Sequence, residues 1–146
     1  MHPNPPTPTN PNAGAFASLL ITGDTVLPEF WTEYFGVAPS MSIVKGRPFI
    51  LPSGRTSQSL GITGLWRFSS ERAVESDQLT PHFQYLVTRL ALPRDGLREL
   101  VQEAGAQVRL SCFWFNPSGQ RAPDVPDDIQ QLMESLGGQI DIDEYR

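Results

Sequence analysis

The sequence predicts an α+β domain, a two-layer sandwich with a mainly antiparallel sheet and helices chiefly on one face, built as a ferredoxin-like βαββαβ core with an added helix and strand. Three observations lead there. The chain has 146 residues, the size of one domain. Hydrophobic periodicity orders the elements as strand, helix, two or three strands, helix, strand, helix, strand. The strands in the middle are short and turn-linked, as in hairpins, with helical stretches on both flanks. A composition of 39% hydrophobic and 18% charged residues excludes wholesale disorder and a coiled coil. No apolar run approaches the ~18 residues of a membrane span.

Residues 1–14 hold five prolines interleaved with Asn and Thr, which leaves no hydrophobic face and disfavours helix and ladder alike. They are expected to be a passive, flexible tail, and residues 15–146 a single α+β domain. The run AFASLLIT, closed by Gly23-Asp24, reads as a buried strand. In PEFWTEYFG, Pro28 presets the first helical turn and Glu29 complements the dipole. Phe30, Trp31, Tyr34 and Phe35 fall at helical spacing, and Gly36 is the expected left-handed stop. SMSIVKG, RPFIL and ITGLWRFSS read as strands, with PSGRTSQSLG as a polar loop between the last two.

Thr80 to Leu92 is expected to be a helix capped by Thr80, with Phe83, Leu86, Val87 and Leu90 on one face. Pro93 restarts a second helix through PRDGLRELVQEAG, whose stripe is Leu97, Leu100, Val101 and Ala104. AQVRLSCFWF is the strongest strand, with Val108, Leu110, Cys112 and Trp114 on one face and Arg109, Ser111, Phe113 and Phe115 on the other. Because both faces are largely apolar at its end, it should lie centrally or beneath a loop. A helix from about Pro126 carries Ile129, Leu132, Met133 and Leu136 and stops at Gly137-Gly138. QIDIDEY follows as a strand with Ile140 and Ile142 inward and Asp141 and Asp143 outward.

Charge is segregated. The net charge is -5, but the segment from Asp124 to Arg146 holds seven acids against one base, so the first 123 residues sum to +1. Residues 44–72 carry Lys45, Arg47, Arg55, Arg67 and Arg72 against Glu71 alone. A negative protein repels polyanions, so nucleic acid and anionic membranes are unfavoured partners and a basic protein suits it better. Cys112 is the only cysteine, which excludes an intramolecular disulfide and a Cys-based zinc cluster. With no secretory signature at the start, a cytoplasmic setting is expected.

Several strings together resemble the bacterial domain-of-unknown-function family 4279: Val44-Lys45-Gly46-Arg47-Pro48, Gly64-Leu65-Trp66 followed by Ser69-Ser70, Pro93-Arg94 with Leu97-Arg98-Glu99-Leu100, and above all Leu110-Ser111-Cys112-Phe113-Trp114-Phe115. The resemblance spans most of residues 15–146. It implies a stand-alone α+β domain and brings no catalytic residue or cofactor with it.

Cys112 as nucleophile needs a base, and His82, expected to be solvated in its helix's first turn, is the candidate outside the tail. Asp124 with Asp127 and Asp128, and Asp141 with Asp143 and Glu144, supply oxygens for a hard cation, but a helix N-terminus and an outward strand face explain them more simply. No metal or cofactor is therefore expected. The aromatic residues Trp31, Trp66, Trp114, Phe113 and Phe115 read first as core. The leading expectation is a non-enzymatic protein-binding module, immunity-type in character, with Asp124, Asp127, Asp128, Asp141, Asp143 and Glu144 as its partner face. The alternative is a small-anion or enzymatic site near Lys45, Arg47, Arg55 and Trp66. A homodimer through exposed strand or aromatic surface is the third.

Overall fold

The computed structural model describes residues 14–146. The tail expected over 1–14 therefore lies outside the described residues except for Gly14. The elements are β1 (Ala15–Gly23), α1 (Pro28–Phe35), β2 (Met41–Ile43), β3 (Gly64–Ser69), α2 (Leu79–Leu90), α3 (Leu97–Glu103), β4 (Gln107–Phe115), α4 (Asp127–Ser135) and β5 (Gln139–Tyr145). They form a mixed α+β fold around one five-stranded sheet of order β2-β3-β1-β4-β5. β1 pairs antiparallel with both β3 and β4, and β2 with β3. β5 adds to β4 in parallel, a pairing that needs the crossover supplied by α4.

The two-residue period sets the core. In β1, Ala15, Ala17, Leu19 and Ile21 point to one side, joined by Trp66 and Phe68 of β3 and by Val108, Leu110, Cys112 and Trp114 of β4. Helix residues complete the same cluster: Trp31 and Phe35 of α1, Leu79, Phe83, Leu86 and Leu90 of α2, Leu97 and Val101 of α3, Ile129 and Met133 of α4. Burying a side chain such as Leu19 or Phe83 stabilises the fold by about 1.5–3 kcal/mol. Phe35 and Trp66 stack with ring centroids 5.0 Å apart and bind α1 to β3. The Trp66 indole N–H donates to Thr32 Oγ1 at 3.0 Å, so this buried ring leaves no polar atom unpaired.

Several expectations are corrected. RPFIL is not a strand. The β2–β3 connection is an irregular loop pinned by bridges between Lys45 and Gly61 and between Ile50 and Thr56, because Pro48 lacks an N–H for a ladder. The helix expected from Pro93 begins only at Leu97, after Gly96 turns the chain at φ +82°. In that turn the Arg94 side chain donates to the carbonyls of Leu90 and Tyr34, tying α1 to the end of α2. Thr80 is not the cap of α2. The helix starts at Leu79, and its first amides are held from outside by Asp124, whose Oδ1 and Oδ2 accept from the N–H groups of Leu79 and Thr80, both at 2.8 Å. His82 is not solvated but fully buried. Phe30, expected on the apolar stripe of α1, is 46% exposed and stacks on Tyr34.

Candidate functional site

With the helices gathered on the core side, the opposite residues of each strand form the second face of the sheet. Register aligns them in rows. Met41, Arg67, Leu20, Arg109 and Gln139 cross all five strands. Ser69, Ser18, Ser111 and Asp141 make the next row, and Phe16, Phe113 and Asp143 the one after. Arg109 Nε binds Asp141 Oδ2 at 2.9 Å, diagonally across β4 and β5. Phe16 stacks on Phe113 with centroids 5.1 Å apart, and Tyr145 lies 4.8 Å from Phe113. This aromatic group is half-buried, with Phe115 exposed beyond it. Ser18 is buried in the middle of its row, and its hydroxyl finds no hydrogen-bond partner among the described residues.

At the β2 end of the sheet a cleft of about 560 Å³ opens. One side is Ser40, Met41, Arg67 and Ser69; the 50–54 stretch of the long loop forms another, and Glu71 and Arg72 complete it. Ser40 stitches the strand side together: its N–H donates to the Arg67 carbonyl at 2.6 Å, and its Oγ accepts from Ser69 N–H at 2.9 Å. The loop holds itself. Phe49 N–H donates to Ser57 Oγ at 2.9 Å, Ser57 N–H to the Phe49 carbonyl at 2.7 Å, and Leu51 N–H to the Arg55 carbonyl at 2.8 Å. Burial lowers the Arg67 guanidinium from its ordinary value, with the Glu71 charge opposing.

The proposed basic site does not assemble from its four residues. Lys45 is paired with Asp24 at 2.8 Å, which holds that carboxyl below its usual value. Arg47 and Arg55 are exposed and do not line the cleft. Trp66 is wholly inside the core, one residue from the arginine that does line it. Arg67 and Arg72 belong to the basic stretch visible in the sequence. Nothing in the sequence, however, indicates that Ser40 and Ile50 meet them.

The acidic residues divide between two tasks. Asp124 caps α2. Its partial burial raises its pKa, but the bonds from Leu79 and Thr80 outweigh that and leave it below the ordinary value. Glu144 accepts from Arg146 Nε at 2.8 Å and from Asn116 Nδ2 at 3.0 Å, and both bonds lower its pKa. Asp127 and Asp128 stand exposed in the first turn of α4, and Asp143 is exposed on β5. Among the described residues no three His, Cys, Asp or Glu side chains come together as a metal site.

The buried titratable groups are also placed. Cys112 is 1% exposed, and burial, aided by the Asp141 charge, pushes its thiol up to about 12. It is a protonated thiol at neutral pH, not a nucleophile. His82 Nδ1 lies 2.7 Å from Ser70 Oγ and Nε2 3.0 Å from the Ser76 carbonyl. A carbonyl only accepts, so the proton sits on Nε2 and Ser70 donates to Nδ1. Ser70 Oγ also accepts from Ala17 N–H at 3.0 Å. Neither Ser70 nor His82 has any exposed surface, so this pair joins the start of α2 to β1 rather than meeting a substrate.

A mixed α+β domain with one open sheet face, an acidic edge strand and a basic cleft at the far end is the class of protein so defined. Residues 12–146 match the model of a domain of unknown function, DUF4279, and the chain belongs to that family. Searches of curated proteins and of solved structures found no match. Among the described residues no helix is long and apolar enough to cross a membrane.

Proposed function

We propose that the chain is a non-enzymatic protein-binding module, immunity-type in character, which engages a basic protein through the β5 end of the sheet. The observation that carries this is the position of β5. It is an edge strand, and it sets Asp141 and Asp143 on the face away from the helices, beside the aromatic group of Phe16, Phe113 and Tyr145. Partner surfaces combine such an aromatic anchor with a charged rim. Asp127 and Asp128 of α4, which packs on β5, extend the negative field. Complementary charge of this kind raises the rate of encounter.

The same reading takes the architecture as a two-layer sandwich with a ferredoxin-like core. The antiparallel order β2-β3-β1-β4 over βαββαβ supports it, with α4 and β5 as the addition. We assign it to the cytoplasm on the same footing, given a single cysteine held as a buried thiol.

Parallel pull-downs with the native chain and with D127K/D128K/D143K, at low and high ionic strength, test the proposal. A stoichiometric basic partner held by the native chain at low salt and lost by the variant is expected. Equal retention by both would remove the acidic surface from the account.

A further inference from the structure

We propose that the cleft between the 50–54 loop and the β2–β3 ladder binds a small organic carboxylate, its charge held by Arg67 and Arg72 and its apolar body laid against Ile50, Leu51 and Pro52. This goes beyond the protein-binding reading and does not depend on it, since the cleft lies at the opposite end of the sheet from β5.

Size comes first. About 560 Å³ falls within the ~300–1,000 Å³ of small-molecule sites. The lining then states the chemistry. Two arginines and one glutamate, Arg67, Arg72 and Glu71, line it, so the cleft carries one net positive charge. A single negative charge balances it, whereas a phosphate dianion overshoots and meets Glu71 as well. Guanidinium forks match carboxylate oxygens in two parallel hydrogen bonds, and Arg67 is already partly stripped of water, which strengthens such a pair.

The other wall is apolar without cover. Ile50 is 58% exposed although it stands next to Leu51 and Pro52, and a bound hydrocarbon body would take all three out of water. Positively charged groups on one side and an uncovered apolar wall on the other describe a ligand with a charged head and a greasy body. Ser40 and Ser69 also line the cleft; their oxygens accept from backbone amides, which leaves their hydroxyl protons to donate to the head group beside the arginines.

The experiment is a ¹H–¹⁵N titration of the full chain with hexanoate, octanoate and phenylacetate, with hexanol and inorganic phosphate as controls. The variants are R72Q and I50S, both at exposed positions, whose own spectra report that the fold is retained. At least one carboxylate is expected to give saturable shifts confined to residues 39–42, 50–54 and 67–72, with neither control doing so. Losing one charge-assisted contact in R72Q should raise Kd roughly tenfold or more. The proposal is overturned if none of the three carboxylates gives saturable shifts there. It is equally overturned if hexanol or phosphate reproduces the shifts, or if R72Q binds as the native chain does.

Discussion

Ser70 Oγ donates to His82 Nδ1 across 2.7 Å, with both side chains fully buried. The imidazole is held neutral there. Burial lowers its pKa, and the Ser76 carbonyl and the Asp124 charge oppose without prevailing. A histidine with a folded pKa below its unfolded value binds fewer protons when native, so its contribution to stability is complete above about pH 6.5 and is lost as pH falls toward the folded value. Urea unfolding at pH 7.5, 6.5 and 5.5 should show stability declining over the lower interval, by at most about 1.4 kcal/mol per pH unit from this group. H82Q should flatten that interval while lowering stability at pH 7.5. An unchanged slope in H82Q contradicts the neutral, buried assignment.

Asp124 is remote in sequence from the helix it caps. Removing it in D124A leaves the Leu79 and Thr80 amides without their acceptor, and a loss of about 1–2 kcal/mol is expected in urea unfolding. D124N keeps one acceptor oxygen and should lose less. The depressed carboxyl contributes stability above its unfolded value near 3.8 that is lost as pH falls through the folded value, so the D124A difference should shrink at acid pH.

The sheet and most helices were legible because their cause is local. Two-residue alternation in Val108 to Trp114 and the Pro28-to-Gly36 brackets of α1 are written in adjacent residues. What was not legible depends on contacts across the chain. The cap of α2 comes from Asp124, 45 residues from Leu79, and no short-range pattern encodes that. A first-turn position such as His82 is usually solvated, but here the ring is buried and held by Ser70 at the end of β3 and by the Ser76 carbonyl, contacts that no short-range pattern encodes. The cleft had half a signal. Its arginines stood in a basic stretch, but alternation alone could not say that Trp66 turns inward while Arg67 turns toward Met41 and the loop.

Cys112 should resist modification in the native state. Its thiol is 1% exposed and protonated, so iodoacetamide at pH 8 is expected to label it only at the rate of unfolding. Labelling at the rate of a free thiol in native buffer would place it outside the core.

Gly64 opens β3 against a crowded backbone. A Cβ there would lie 2.7 Å from the carbonyl oxygens of both Gly23 and Val26. Neither is the end of a flexible side chain, so β1 and β3 must separate to admit it. G64A should cost about 1–3 kcal/mol in urea unfolding. A neutral G64A would mean that the β1–β3 register ends before Gly23.

The central claim is that the β5 end of the sheet attracts a basic partner by its charge. Its most direct measurement is the association rate constant of the captured partner, by stopped flow at 20 and 200 mM salt, for the native chain and for D127K/D128K/D143K. Steering predicts a native rate that falls steeply with salt, and a variant that is slower at low salt and nearly salt-independent. Equal rates for the two proteins at 20 mM salt would contradict the claim.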